Sequence, residues 1–315
     1  MTNMLTVSPS PHIRSSRTTT SIMANVLIAL LPAAVASVIL FGYRALLILA
    51  VSNLSCGLLE WGWCKVIKKN TNTIGDLSAF VTGTLLALTL PATMGEWQNL
   101  WMVAFGAVIA IIVVKWLFGG IGYNFANPAI TARIVLLLCF TTPMAATVNT
   151  TLATDAVSGA TPLADIAAGN TAALPSLFDM LIGNRSGAIG EGCTIALLIG
   201  GIYLIATRII SWHIPVTYIA TVGVLTLIFG AQPLHQLMAG GLIIGAFFMA
   251  TDYTTSPDTA WGKVIFGVGC GLITVLIRLW GSYPEGVSYA ILLMNIVNPF
   301  IIKLTRRKPF GGVKE

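Results

Sequence analysis

Charge is what this sequence has least of. Of its 315 residues only 9% are Asp, Glu, Lys or Arg, where a soluble protein carries about 25%. That shortage excludes an ordinary water-facing surface. Histidine is scarce too: His12, His213 and His235 lie far apart and read as interfacial or loop residues rather than metal ligands. The five cysteines, Cys56, Cys64, Cys139, Cys193 and Cys270, form no Cys-x-x-Cys pair and stand at no metal-ligand spacing from a histidine, which argues against an iron–sulfur or zinc site made by this chain. What is abundant is apolar surface: 56% of residues are hydrophobic and the mean hydropathy is +0.87. The composition is that of a polytopic membrane protein. The net charge of +6 sits in loops and tails, where it has a topological explanation, and this argues against nucleic acid as a partner.

Along the chain a polar basic tail (1–20) precedes five apolar runs, at 21–41, 44–63, 76–91, 98–118 and 129–146. The first is too long for a signal-peptide core and shows no small-residue cleavage site, so it is expected to stay as a span. A polar interval, 148–191, follows. Five more runs come after it, at 192–210, 214–231, 234–251, 261–279 and 286–304, and then a basic tail, 305–315. The third run of each half is short and rich in small residues. Short or glycine-interrupted runs at matching places in two halves point to a site at a repeat interface. The predicted fold is therefore all-α, about ten transmembrane helices in two inverted five-helix repeats (21–147 and 192–304), with the third helix short or broken in each. Lys and Arg bias places both termini and Lys65, Lys68, Lys69, Arg208 and Lys263 in the cytoplasm, and the acidic interval 148–191 outside. Lys115, Arg208 and Arg278 lie near run ends and are expected to snorkel to the headgroups. The tryptophans, among them Trp61, Trp97, Trp101, Trp261 and Trp280, fit interfacial belts.

Two stretches stand out. Asp155, Ser158, Gly159, Ala160 and Thr161 form Asp-x-x-Ser-Gly-Ala-Thr in the polar interval, closed by Pro162. Small residues around a secondary alcohol leave backbone open to a bulky group, though the same residues also make ordinary turns. Gly122, Asn124, Asn127, Pro128 and Ala129 form a glycine-rich turn entering run five, with Arg133 one turn inside it. Asp252 closes the short eighth run, either as a loop or cap residue or as a contact to a ligand or cation.

The first pattern resembles the flavinylation motif of the RnfD/NqrB family of membrane proteins. Gly-x-Asn-x-x-Asn-Pro-Ala at 122–129 and Phe-Met-Ala-Thr-Asp-x-x-Thr-Ser-Pro at 248–257 are similar to further stretches of that family. The length is closer to its RnfD members. The resemblance implies FMN joined as a phosphoester to Thr161 by a flavin transferase, with Asp155, Ser158, Gly159 and Ala160 as the recognised motif. It implies a second, non-covalent flavin, expected to be riboflavin, in the membrane near Gly122, Asn124, Asn127, Arg133 and Asp252. It also implies a bacterial or archaeal cytoplasmic membrane and partnership with other Rnf subunits in a ferredoxin:NAD+ oxidoreductase that moves Na+ or H+. Thr161 is then an anchor, and no catalytic acid or base and no metal ligand is expected on this chain. One place departs from the family: Ile302, followed by Lys303, stands where an Asp is expected shortly after Pro299, so no cation role carries over. The competing reading is a small-solute channel of urea-transporter-like fold with no redox role, and a structural scaffold protein is the third.

Overall fold

The structure is a computed structural model that describes residues 17–67, 73–148, 150, 160–170, 174–281 and 285–306. Among these it is helical, without a strand. Helices α1 (Thr19–Phe41) and α2 (Tyr43–Val66) are joined by a turn at Gly42. Short α3 (Ser78–Leu88) follows, then α4 (Leu100–Val108), which continues as a π-helical stretch, Ile109–Trp116. Asn127 caps α5 (Pro128–Cys139), and α6 (Thr141–Ala145) lies beyond it. The polar interval holds α7 (Pro162–Ala167) and α8 (Leu177–Ile182). The second half contains α9 (Thr194–Ala206), α10 (His213–Ile228), α11 (Pro233–Met238), α12 (Leu242–Ile244) running into π-helical Gly245–Met249, α13 (Ala260–Trp280) and α14 (Val287–Thr305).

Among the described residues four helices are long and apolar enough to cross a membrane: Thr19–Phe41, Tyr43–Ile67, Ala260–Trp280 and Val287–Thr305. Five shorter apolar helices accompany them. The all-helical organisation is as expected, while of the ten or so expected spans four reach membrane-crossing length among the described residues. Run three is an 11-residue helix, about 16 Å long, and run eight is interrupted at Gly240–Gly241. Run five ends at Cys139 and resumes as α6. The short third element of each half is as expected.

Membrane helices gain little from hydrophobic burial against one another, so small residues at their contacts decide how closely they approach. Helices α10 and α13 show this. Gly267 and Gly271, four residues apart on α13, face Thr217 and Thr221 of α10, and a Cβ on Gly271 would stand 2.6 Å from the Thr221 Cβ. The halves meet through α1 against α9 and through α5 against α14. Outward faces stay apolar: Leu31, Val35, Leu58, Ile202, Leu272 and Phe300 are all exposed. A soluble monomer rarely exposes so much contiguous apolar surface, and lipid is the solvent these faces suit. Trp61, Trp97, Trp101, Trp261 and Trp280 are exposed as well.

Two of the expected snorkelling residues do not reach outward. Lys115 is 3% exposed; its Nζ donates to Glu60 Oε2 at 2.6 Å and to Ser78 Oγ at 2.7 Å. Arg278 is 6% exposed and donates to the carbonyls of Gln236 and Ala239. Both find partners inside the bundle that an apolar run in one dimension does not display.

Candidate functional site

Helices α3 and α5 each lead from one polar space to another. At the first end lies a crevice lined by Ser78 and Lys115, by Gly122, Asn124 and Asn127, and by Asp252 with Tyr253. Here the sequence pattern explains the geometry. Asn127 is the N-cap of α5: its Oδ1 accepts from the backbone N–H groups of Ala129 (3.0 Å) and Ile130 (3.3 Å), and Pro128 occupies the first helical position, where its missing N–H costs nothing. The Asn127 Nδ2 donates to the Met249 carbonyl at 3.2 Å, at the end of the interrupted helix, and Asn124 Nδ2 donates to Thr254 Oγ1 at 3.0 Å. Asp252 Oδ2 accepts from the hydroxyls of Thr254 and Thr255. Gly122, Asn124, Asn127 and Asp252 thus line one crevice. The space between them is about 100 Å³, below the 300 Å³ or so at which ligand pockets usually begin.

Arg133 is not at that crevice. It lies 6 residues further along α5, about 9 Å, and lines a second cavity of about 630 Å³ together with Thr89, Pro91, Ala160, Thr161, Glu285 and Tyr289. Its Nη1 donates to Ser288 Oγ at 2.9 Å and its Nη2 pairs with Glu285. So Arg133 lines the Thr161 cavity rather than the Asp252 crevice.

Thr161 is half-buried and is the N-cap of α7; its Oγ1 accepts from the Ala164 N–H at 3.2 Å, and Pro162 opens the helix. Ala160 is exposed, and its carbonyl accepts a hydrogen bond from Ser186 Oγ. Asp155, Ser158 and Gly159 lie outside the described residues. A small apolar cluster of Leu163, Met180 and Ala239 pins α7 against α8 and the end of α11. The pair Gly240–Gly241 makes that approach possible. Both have positive φ (67° and 66°), which L side chains resist. A Cβ on Gly240 would sit 2.8 Å from Arg278 Nη2, and one on Gly241 3.0 Å from Glu191 Oε1.

Behind Thr161 stands a buried group of charges that sequence reading did not find. Arg185 is 7% exposed and Glu191 also 7%. Arg185 Nη2 donates to the Glu191 carbonyl at 2.6 Å; its Nη1 and the Glu191 Oε1 have no hydrogen-bond partner. Burial pushes the Glu191 carboxyl up from its ordinary value and the Glu285 carboxylate adds to the shift, while Arg133, Arg185 and Arg278 pull it back. The available signal was thin: Arg185 is the single base of the interval and Glu191 its last acid, and neither sits in a motif.

An apolar-faced helical bundle with four helices long and apolar enough to cross a membrane, and with two internal polar spaces, is the architecture expected of a membrane protein. The sequence profile of the NQR2, RnfD, RnfE family matches residues 6–311, and the chain belongs to that family. It is 48% identical over 312 residues to the D component of the Na(+)-translocating ferredoxin:NAD(+) oxidoreductase complex of Acetobacterium woodii, covering 98% of this chain and 96% of that one. It is 42% identical to the D component of the proton-translocating ferredoxin:NAD(+) oxidoreductase complex of Clostridium ljungdahlii, over 98% of this chain and 97% of that one. To the D component of the ion-translocating oxidoreductase complex of Halorhodospira halophila the identity is 33%, over 96% and 95%.

Proposed function

We propose that this chain is the RnfD component of an ion-translocating ferredoxin:NAD+ oxidoreductase complex and that it carries FMN as a phosphoester on Thr161. One observation carries the site: the last residue of Asp-x-x-Ser-Gly-Ala-Thr opens onto a cavity of about 630 Å³, within the range of pockets that take a tricyclic ligand. Bound there, the flavin supplies one- and two-electron redox chemistry, and the protein's part is to place it and set its surroundings. Thr161 fixes one end. Leu137, Met144 and Tyr289 give the cavity apolar and aromatic walls, and Arg133, held by Ser288 and Glu285, brings a guanidinium to its polar side. Membership of the complex, with electrons exchanged through other Rnf subunits, rests on the near-full-length likeness to the A. woodii and C. ljungdahlii proteins.

The second flavin has less room. About 100 Å³ at the Asp252 crevice does not fit an isoalloxazine unless Phe247, Phe248 and Tyr253 move apart, so no step is drawn through it. The topology that supports flavin transfer from outside places the α7–α8 region extracytoplasmically and both tails in the cytoplasm.

The test is in-gel fluorescence of the denatured protein after co-expression with a flavin transferase. Thr161→Ala removes the hydroxyl and should abolish the band; Ser158→Ala and Asp155→Ala keep the acceptor and should weaken it. A fluorescent Thr161→Ala band would place the flavin elsewhere. Flavin that separates from the parent protein on denaturation measures the non-covalent share.

A further inference from the structure

Five ionisable side chains are linked behind Thr161: Arg133 pairs with Glu285, Arg278 donates to the Glu285 carbonyl, Arg185 donates to the Glu191 carbonyl, and Arg185, Glu191 and Glu285 line one void. Three guanidiniums face two carboxylates, an excess of one positive charge among these described residues when all are ionised. An uncompensated charge away from water is costly, and buried charges are ordinarily paired. Arg133 and Arg278 have partners on both terminal nitrogens, the first in Ser288 and Glu285, the second in the carbonyls of Gln236 and Ala239, with its Nε donating to the Glu285 carbonyl. Arg185 is not, for its Nη1 is buried without a partner.

Arg185 also borders Thr161. A void of about 10 Å³ lies between Thr161, Arg185, Glu191, Gly240 and Glu285, enough for a single oxygen atom or water. The next residue, Ser186, holds the Ala160 carbonyl, so the Arg185 segment is tied to the motif itself. Three separate features thus border one void beside Thr161: a surplus positive charge, a guanidinium nitrogen without a partner, and a space of one oxygen.

We propose that Arg185 is the anion-holding residue of the Thr161 site, its free Nη1 donating to a phosphoryl oxygen of a phosphodiester carried on the Thr161 hydroxyl. This rests on the reading of Thr161 as the flavin anchor and names what receives the phosphate. A phosphodiester bears a single negative charge, which offsets the surplus that remains when both carboxylates are ionised. A charge-assisted hydrogen bond of this kind is about twice as strong as a neutral one. Arg185 is a positioning residue: it restrains the anchored end of the flavin and takes no part in electron transfer.

The experiment measures what loading does to stability. The full chain is produced with and without the transferase, purified in detergent and melted, as the parent and as Arg185→Gln. Comparing loaded with unloaded protein of the same sequence cancels any purely structural role of Arg185. Loading should raise the melting temperature of the parent, and that shift should be lost in Arg185→Gln although in-gel fluorescence shows the flavin still attached. An undiminished shift in Arg185→Gln overturns the proposal, and so does a parent whose melting temperature is unmoved by loading. Should Arg185→Gln fail to accumulate or to load, Arg185→Lys takes its place. Its shorter ammonium lacks the planar fork, so a reduced shift supports the assignment and a full one overturns it. A parent that gains no covalent flavin fails the Thr161 reading itself, which fluorescence reports separately.

Discussion

Removing Lys115 should cost this protein a large share of its stability, and removing its partner as well should restore most of the loss. Lys115 Nζ lies 2.6 Å from Glu60 Oε2 and 2.7 Å from Ser78 Oγ, and the other carboxylate oxygen accepts from Thr73 Oγ1 at 3.0 Å. The two side chains are 4% and 0% exposed. In Lys115→Met the Glu60 carboxylate keeps one hydroxyl donor and loses its cation. Breaking a buried pair from one side costs about 3–5 kcal/mol, because an uncompensated charge stays behind. Against a total of roughly 5–15 kcal/mol, that is enough to lower the yield of folded protein. Glu60→Leu should cost a similar amount, with Lys115 now unpaired beside Ser78. The double variant Lys115→Met/Glu60→Leu leaves no charge behind and should lie well above the sum of the singles, with a coupling of about 2 kcal/mol or more. Thermal melts of detergent-purified protein, scored by monodisperse elution, give all four corners. Single variants that each cost under about 1 kcal/mol, or a double variant equal to the sum, would show that this pair is not the buried, mutually dependent contact described.

The remaining expectations are independent of that pair. In a Cys139→Ser background, cysteine at Gly169 should react with an impermeant thiol reagent on intact cells and cysteine at Asp258 should not; the reverse pattern refutes the proposed orientation. Glu191 has its carboxyl pushed up to about 7 by burial, so between its ordinary pKa and that value the native state binds more protons than the unfolded one. Stability from this group is full at low pH and lost as pH rises towards 7, and Glu191→Gln should flatten the slope of melting temperature against pH across that window. Gly271→Leu places bulk where a Cβ would already stand 2.6 Å from Thr221 and should destabilise by about 1–3 kcal/mol, while Leu272→Ala, on an exposed face of the same helix, should change little.

Some of this architecture was written locally and could be read locally. Asn127 and Pro128 specify a helix start by themselves, since the side chain caps and the ring fits only the first turn; the structure places that cap and α5 where the pair stands. Thr161–Pro162 is the same device, and α7 begins there. Apolar runs gave the helices, and the shortness of run three and the glycines of run eight gave the two irregular elements, because both depend on neighbours along one chain. Their lengths were less legible: run five reads as one span to residue 146 but ends at Cys139, where Phe140 leaves helical geometry.

What the tertiary structure alone decided is where the charges go. A lysine near the end of an apolar run and an arginine near the end of another look alike in one dimension, and snorkelling is the ordinary answer for each. Folding gives them different fates, because Glu60 stands 55 residues from Lys115, and the carbonyls of Gln236 and Ala239 stand about 40 residues from Arg278. Arg133 was placed with the wrong neighbours for the same reason. Its position on α5 was plain, but whether it served the Asp252 crevice or the Thr161 cavity depended on Glu285 and Ser288, more than 150 residues away. The sequence by itself determined the motif, the caps and the apolar faces, since these follow from adjacency and period. The pairing of buried charges is a long-range electrostatic problem, solved only when the helices that carry the partners are packed side by side.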